Sequence, residues 1–288
     1  MNIVLKVNIY HKDVESQIGP CLDYLLEKKV GIWVGAELAG IFHRPSFQVF
    51  EEGHPPPGLS LIVAFGGDGT VLAASRVDGI FGVPILAVNL GNFGFLTTSS
   101  LEEFRAHFER ILAGDYAVEE RMMLKAEVVS AEGQVSSFTA LNDVVLHKGS
   151  LARPILIDLK TGEDLVGVFP ADGVIISTPT GSTAYSLSAG GPILYPQMNA
   201  IAITPICPHT LAVRPLVVPA DYPVSLSEQS KHQDVMLTVD GQLSHSIKEE
   251  DRVIVTRSPQ VTRLVKPFEG SFFSRLRGKL KWGERERK

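Results

Sequence analysis

The sequence predicts two domains: an α/β N-terminal domain with a doubly wound, parallel sheet, and an all-β C-terminal domain. Over the first ~120 residues, short apolar runs alternate with segments of helical spacing, which is the pattern of strands joined by crossover helices. Further along, short strand-like runs follow one another with turn residues between them, as in a mostly antiparallel sheet. We therefore expect domains at residues 1–120 and 121–265, with residues 266–288 packing back on the first domain.

The composition excludes several classes of protein. Of the 288 residues, 44% are hydrophobic and 20% are charged, which is typical of a globular chain and excludes disorder as the main state. Cys21 and Cys207 are far apart, so we expect neither a disulfide framework nor a Cys-rich zinc site. A net charge of −5 argues against a nucleic-acid partner. No apolar run reaches the ~18 residues that span a membrane, and we expect a cytoplasmic protein.

The first elements can be placed in order along the chain. Ile3–Ile9 is predicted to be a strand rather than a signal peptide, because polar residues interrupt its apolar stretch. Val14–Lys29 has helical spacing, and Pro20 is expected to start or kink that helix. Leu59–Phe65 and Pro84–Val88 are continuous apolar runs, which are typical of strands buried on both faces.

Two more helices complete the expected first domain. One is predicted at Val71–Arg76, between the two buried strands. Another follows a capping box made by Ser100 and Glu103, and it ends at Gly114. Its apolar face is predicted from the spacing of Leu101, Phe104, Phe108, Ile111 and Leu112.

The second domain is predicted to consist of short strands separated by turn residues. These strands are expected at Leu124–Val129, Gln134–Leu141, Ile155–Lys160, Leu165–Phe169, Val174–Ser177, Ala200–Thr204, Leu216–Val218, Pro223–Leu226, Val235–Val239 and Arg252–Thr256. The basic stretch from Arg275 onward is interpreted as a solvated tail or a surface helix.

The sharpest motif is a glycine-rich loop, Gly66-Gly67-Asp68-Gly69-Thr70, which follows a buried strand and opens a helix. Ligands bind at the carboxyl ends of strands in open parallel sheets, and a helix N-terminus offers N–H groups to phosphate. Asp68 stands out because a carboxylate repels phosphate. We interpret it as a base for an incoming hydroxyl or as a metal contact beside a polyphosphate. The alternative is a plain turn in which Asp68 makes a local Asx-type bond.

Three further motifs lie in the second domain. Glycines and hydroxyl residues cluster over residues 172–192, where they can bond ribose and phosphate while a flat ring approaches. Asn142 and Asp143 place an amide beside a carboxylate, a pair that can grip the two hydroxyls of a ribose or simply cap a strand edge. Asp240-Gly241 is a hairpin signal, and Gln242 behind it could reach a ligand. No metal constellation of His and Cys is found in the sequence.

Together these motifs resemble those of the NAD kinase family, and in particular of its bacterial branch. The loop at Gly66–Thr70 is shared with lipid and sugar kinases, whereas the run Ser177–Tyr185 is far more specific. The resemblance also rests on Asn89–Leu96, Leu141–Asp143, Ser188–Pro192 and Asp240–Gln242. It implies transfer of the ATP γ-phosphate to the 2′-hydroxyl of the adenosine ribose of NAD, giving NADP and ADP. It also implies a divalent cation, usually Mg²⁺, and a homodimer or homotetramer.

The resemblance implies a role for each matching residue. Asp68 would accept the 2′-hydroxyl proton with Gly69 beside it, within a phosphate loop formed by Gly66, Gly67, Gly69 and Thr70. Asn142 and Asp143 would hold the NAD sugar and base, and Asp172 the nicotinamide side. The other NAD contacts implied are Thr183, Ala184, Tyr185 and Ser188 at the adenine end, Gln242 closing over the dinucleotide, and Arg153. One departure is Pro170, where many relatives place an arginine.

Two other functions compete with this interpretation. A lipid or sugar kinase would share the glycine-rich loop but leaves the run Ser177–Tyr185 unexplained. A dinucleotide-binding regulator without catalysis would have no use for a carboxylate at Asp68 beside a phosphate loop.

Overall fold

Strong apolar runs form the elements of the first unit, as the alternating pattern predicts. The computed structural model describes residues 1–42, 44–91, 94–149, 153–229 and 234–281. The chain divides into two compact units, one of Met1–Glu120 with Thr262–Lys288 and the other of Arg121–Val261. The strands of the first unit are β1 (Asn2–Val7), β2 (Gly31–Val34), β3 (Phe47–Val49), β4 (Leu59–Phe65), β5 (Pro84–Asn89) and β6 (Ser99–Ser100). Its helices are α1 (Val14–Glu27), α2 (Ala36–Ile41), α3 (Asp68–Ser75), α4 (Phe104–Leu112) and, from the end of the chain, α6 (Phe272–Leu280).

The first unit contains the expected parallel sheet. Its strands lie in the order β3-β2-β1-β4-β5, and every neighbouring pair is parallel. Phe65 at the end of β4 is paired with Val88 of β5, so the segments that follow these two strands leave the same edge of the sheet. That edge is where an open parallel sheet binds its ligand.

Several predicted boundaries of the first unit are wrong. Pro20 lies inside α1, so of its two expected roles, starting or kinking the helix, the first is wrong. The helix expected at Val71–Arg76 begins three residues earlier, at Asp68, so this residue lies in the first helical turn. The capping pair at Ser100 and Glu103 is confirmed by reciprocal bonds of 2.9 and 3.3 Å.

Aromatic packing explains which face of α4 is buried. Phe104 and Phe108 are fully buried and lie 5.5 Å apart between ring centroids, and Tyr24 of α1 meets both rings edge-on. Leu112 was expected on this face but is 39% exposed, so that part of the prediction is wrong.

The second unit is antiparallel, as expected. Its remaining elements are β7 (Val118–Val129), β8 (Val135–Ala140), β9 (Asp143–Lys148), β10 (Ile155–Thr161), β11 (Asp164–Ala171), β12 (Gly173–Ser177), α5 (Tyr185–Ser188), β13 (Ala200–Ile206), β14 (Leu216–Pro219), β15 (Val224–Glu228), β16 (Val235–Val239), β17 (Leu243–Ile247) and β18 (Arg252–Val265). One sheet has the order β14-β13-β12-β9-β16-β17, and a second contains β11-β10-β15-β18 with β7 and β8. Both sheets contribute to one apolar core. The predicted fold class is therefore confirmed.

The two longest strands are longer than the sequence predicts. β18 continues nine residues beyond the expected Thr256, and β7 begins six residues before the expected Leu124. None of the helices in the described ranges has the length and apolarity that crossing a membrane requires.

Candidate active site

The glycine-rich loop turns the chain directly from β4 into α3. The N–H of Gly66 donates to the carbonyl of Val88 at 2.9 Å, which ties the loop to the neighbouring strand. A β-carbon on Gly66 would overlap the Thr70 hydroxyl, so this position needs glycine. Gly67 is the N-cap of α3, and Asp68 is therefore carried by the first turn of a helix, the end that favours an anion.

The carboxylate of Asp68 is held by a second segment of the same unit. The N–H of Phe95 donates to Oδ2 at 2.8 Å, and the N–H of Leu96 donates to Oδ1 at 2.9 Å. Gly94 lies directly against this carboxylate, and a β-carbon there would overlap it. The local Asx-type bond considered for Asp68 is wrong, since these partners are 27 and 28 residues away in sequence.

The segment that holds Asp68 is itself closed by side chains. Asn89 Oδ1 accepts from the N–H of Gly91 at 2.5 Å, and Thr97 Oγ1 accepts from the N–H of Gly94 at 2.9 Å. Asn92 and Phe93, which belong to the motif at residues 89–96, lie outside the described residues. The sequence motif thus marked this segment, but its contact with Asp68 required the fold.

In the second unit, Asp240 organises the loop that carries Asn142 and Asp143. Its carboxylate accepts from the N–H groups of Leu141, Asn142 and Asp143, at 3.1, 2.7 and 3.2 Å. Asp240 and Gly241 have φ values of 51° and 62°, as the two central positions of a type I′ hairpin require. The predicted hairpin is confirmed, and Asp240 is a residue whose role the sequence did not reveal.

Asp143 has an unusual protonation equilibrium. It is 4% exposed, and burial raises its pKa from 3.8 to about 7, with the negative charge of nearby Asp240 adding to the effect. This acidic group therefore titrates near neutral pH.

The residues from Ser177 to Ser188, which are rich in hydroxyl groups, include a buried set and a set that is at least partly accessible. Thr178 is fully buried, and its hydroxyl donates to the carbonyl of Leu141 at 2.6 Å. A β-carbon on Gly181 would overlap the carbonyl of Asn142. The buried hydroxyl residues are Ser177, Thr178, Thr180, Ser182 and Ser186. Ser177 and Thr178 bond the loop that carries Asn142, whereas Ser182 bonds the carbonyl of Pro179 and Ser186 bonds the hydroxyl of Thr204.

The residues of the run that were assigned to NAD are the accessible ones. Thr183 and Ala184 are half-buried, and Tyr185 and Ser188 of α5 are exposed. Tyr185 is 48% exposed, so its ring is accessible and does not belong to the core of this unit.

Three residues that the sequence assigns to NAD remain, together with the departure at Pro170. Asp172 forms an ion pair with Lys148, with 2.8 Å between Oδ1 and Nζ, and Lys148 is a partner that no sequence signal indicated. The carbonyl of Pro170 accepts a hydrogen bond from the N–H of His209 at 2.9 Å. Arg153 and Gln242 are exposed.

The structure thus brings together two groups of predicted residues. The first unit assembles the phosphate loop with residues 94–97, and the second assembles Asn142 and Asp143 with Asp240 and residues 177–182. Within the described part of the chain, no three His, Cys, Asp or Glu side chains are grouped as a metal ion would need.

Family models match most of the chain. Residues 48–116 match the ATP-NAD kinase N-terminal domain, and residues 141–267 match the ATP-NAD kinase C-terminal domain. An NAD kinase of Geotalea daltonii is 50% identical over 232 residues, which cover 80% of this chain and 81% of that protein. An NAD kinase of Heliobacterium modesticaldum is 42% identical over 262 residues, which cover 91% and 92%.

Two solved structures are similar in fold. A yeast NADH kinase complexed with NADH has a TM-score of 0.90 and 26% identity, and the match covers 100% of this chain and 89% of that one. An NAD kinase from Archaeoglobus fulgidus in complex with ATP has a TM-score of 0.75 and 22% identity, with coverage of 98% and 99%, a likeness that shows the fold alone.

Proposed function

The chain belongs to the NAD kinase family and its activity is that of an ATP-dependent NAD kinase, and from this premise we propose that Asp68 is the general base of the reaction. The acceptor is the 2′-hydroxyl of the adenosine ribose of NAD. Its oxygen forms a bond to the γ-phosphorus of ATP, while the bond from that phosphorus to the β–γ bridging oxygen breaks. ADP leaves with that electron pair, and the hydroxyl proton passes to Asp68.

The observation that carries this assignment is the hydrogen bonding of Asp68. Each carboxylate oxygen accepts one backbone N–H, from Phe95 or Leu96, and still has a lone pair for a proton. A fixed carboxylate at a phosphate loop is otherwise unfavourable, since phosphate is an anion. Phosphoryl transfer depends mainly on positioning and charge neutralisation, and a positioned base adds typically ~10²–10⁴ in rate.

NAD is proposed to bind through the residues of the second unit. Asn142 and Asp143 would hold the sugar and base on a loop that Asp240 and Thr178 already fix in place. Tyr185 would present an exposed ring to a base. The remaining NAD contacts in this unit are proposed to come from Arg153, Asp172, Thr183, Ala184, Ser188 and Gln242. In the first unit, Gly69 of the phosphate loop is also a proposed NAD contact.

The phosphates would lie against the loop formed by Gly66, Gly67, Gly69 and Thr70. A divalent cation, Mg²⁺ in our proposal, would neutralise phosphate charge when bound. The described residues suit a cation carried by the nucleotide: they contain no grouped three-ligand set, and Mg²⁺ on nucleotide phosphates needs only one or two carboxylates. We assign Asp68, the carboxylate at this loop, to the hydroxyl proton, so the cation would be held mainly by the nucleotide phosphates. We further propose a cytoplasmic homodimer or homotetramer, which the resemblance to the family supports.

A product assay tests the proposed reaction. Purified protein is incubated with NAD, NADH or diacylglycerol as acceptor and with ATP, GTP or polyphosphate as donor, and the products are separated. NADP formed from NAD and ATP is the expected result. Phosphorylation of diacylglycerol instead would favour the lipid kinase, and NAD binding without any NADP would favour the regulator.

A further inference from the structure

The last helix of the chain reaches the segment that holds Asp68. Ser271 caps α6 through a reciprocal capping box with Ser274, which fixes where the helix begins. One turn later, Arg275 is half-buried, and its Nη1 donates to the carbonyl of Phe95 at 3.0 Å and to that of Thr97 at 3.4 Å. These residues all belong to the first unit.

Phe95 is bonded on both sides of its backbone. Its N–H donates to Asp68, and its carbonyl accepts from Arg275. Hydrogen bonds from a guanidinium are charge-assisted and therefore stronger than neutral ones. Nη1 holds the carbonyl of Phe95, which belongs to the same planar peptide group as the N–H of Leu96, the other Asp68 donor. Fixing this carbonyl therefore limits how far that N–H can turn away from Asp68.

Two other contacts reach residues 94–97, and neither replaces the bonds that Arg275 makes to their backbone. Thr97 Oγ1 fixes Gly94, at the start of the segment, but it does not bond the carbonyl of Phe95. Lys279 of α6 lies 6.0 Å from the centroid of the Phe95 ring, a weaker contact with the side chain rather than the backbone.

We propose that Arg275 is a positioning residue for Asp68, acting through the backbone of residues 95–97. This inference rests on the proposed role of Asp68 as the base. A base must meet its proton with the correct distance and angle, and a small misplacement reduces turnover without removing the substrate contacts. The competing explanation is that Arg275 only fastens α6 to the unit, in which case its loss would lower stability and leave the chemistry unchanged.

Kinetics of matched variants separate the two explanations. In the full chain, Arg275→Ala is expected to lower kcat by ~10-fold or more while KM for NAD and ATP stays within about twofold. Arg275→Lys keeps a cationic donor and should retain more of the kcat. Arg105→Ala is the control: it removes an exposed arginine of the same unit that also donates to a backbone carbonyl, that of Pro20 at 3.3 Å. Its kcat should be unchanged, and thermal unfolding of both variants shows how much stability each has lost.

A double variant links the effect to Asp68. If Arg275 acts through the base, Arg275→Ala adds no further loss of kcat in an Asp68→Asn background. A full additional loss there, or normal turnover by Arg275→Ala beside an impaired Asp68→Asn, overturns the role of Arg275 alone. Near-normal turnover by Asp68→Asn itself overturns the base assignment and this inference with it.

Discussion

Gly94 lies so close to the carboxylate of Asp68 that a β-carbon at position 94 would overlap it. The N–H groups that hold this carboxylate come from the next two residues, Phe95 and Leu96. The backbone approaches the acid closely enough for both bonds because position 94 has no side chain. Gly94 therefore belongs to the site, although it provides no functional group.

Gly94→Ala should damage catalysis more than folding. The new methyl group must displace either the carboxylate or the backbone that binds it, and a displacement of about 1 Å can cost ~10²-fold in rate. Steady-state kinetics should show the loss in kcat. Gly40→Ala is the matched control, because position 40 of α2 has open space around it. Equal kcat values for the two variants would contradict the close approach at Gly94.

Asp68→Asn is expected to keep NAD binding and to lose ~10²-fold or more in kcat, since an amide cannot accept the hydroxyl proton. Calorimetric titration with NAD and initial-rate kinetics measure the two properties separately. A variant with near-normal kcat would contradict the assignment of Asp68 as the base.

Asp240→Asn should weaken NAD binding without touching the reacting atoms. The Asn amide would direct its own N–H donors towards the backbone N–H groups of residues 141–143. The carboxylate of Asp240 accepts hydrogen bonds from these groups. Losing charge-assisted bonds to this loop should raise KM for NAD by about tenfold, with a smaller change in kcat. Asp221→Asn is the control, as that side chain is 88% exposed in the same unit. An unchanged KM for NAD would argue that the loop does not need Asp240.

Which features the sequence alone predicts depends on whether a pattern of neighbouring residues marks them. Leu59–Phe65 and Val235–Val239 were predicted with the bounds that the structure shows, because each is a short apolar run with clear turn residues beside it. β2 and β3 were missed, since four and three residues are too few to establish a period.

The site follows the same rule. The loop at Gly66–Thr70 is a local motif and was found, whereas the contact between Arg275 and Phe95 joins residues 180 positions apart and leaves no local pattern. Asp240 was recognised only as a turn residue. Its bonds to residues 141–143 exist because β16 pairs with β9, with Val239 opposite Val144. Gly91 and Gly94 stand on either side of residues 92 and 93, and this spacing is the sequence signal that could have indicated a close approach of the backbone to another group at Gly94.

Asp143 should give the protein a characteristic pH dependence of stability. Its pKa is about 7 in the folded protein, above the ordinary value of 3.8 expected for the unfolded chain. Between these values the folded state binds more protons, so the free energy of unfolding falls as pH rises from about 4 to about 7 and then levels off. Urea unfolding of Asp143→Asn should show a smaller loss of stability than the unsubstituted protein between about pH 5 and about pH 7.5. Parallel pH profiles for the two proteins would contradict the raised pKa.

The last prediction concerns Tyr185, which begins α5 with its side chain 48% exposed. Small residues precede it in the turn, so a flat base can approach the ring, and stacking of this kind is worth ~1–3 kcal/mol per base in nucleic-acid complexes. Tyr185→Ala should therefore weaken NAD binding by roughly one to two powers of ten, at ~1.4 kcal/mol per tenfold. Because the ring is exposed, its loss should leave the melting temperature close to that of the unsubstituted protein.

Tyr185→Phe separates the ring from the hydroxyl in this prediction. The phenylalanine variant should bind NAD almost as well as the unsubstituted protein if the ring face makes the contact, and as weakly as Tyr185→Ala if the hydroxyl does. Calorimetric titration with NAD, run beside thermal unfolding of both variants, measures affinity and folding independently. Unchanged NAD affinity in a well-folded Tyr185→Ala protein would remove this residue from the site, since an exposed ring that binds no base has no other partner in the proposed reaction.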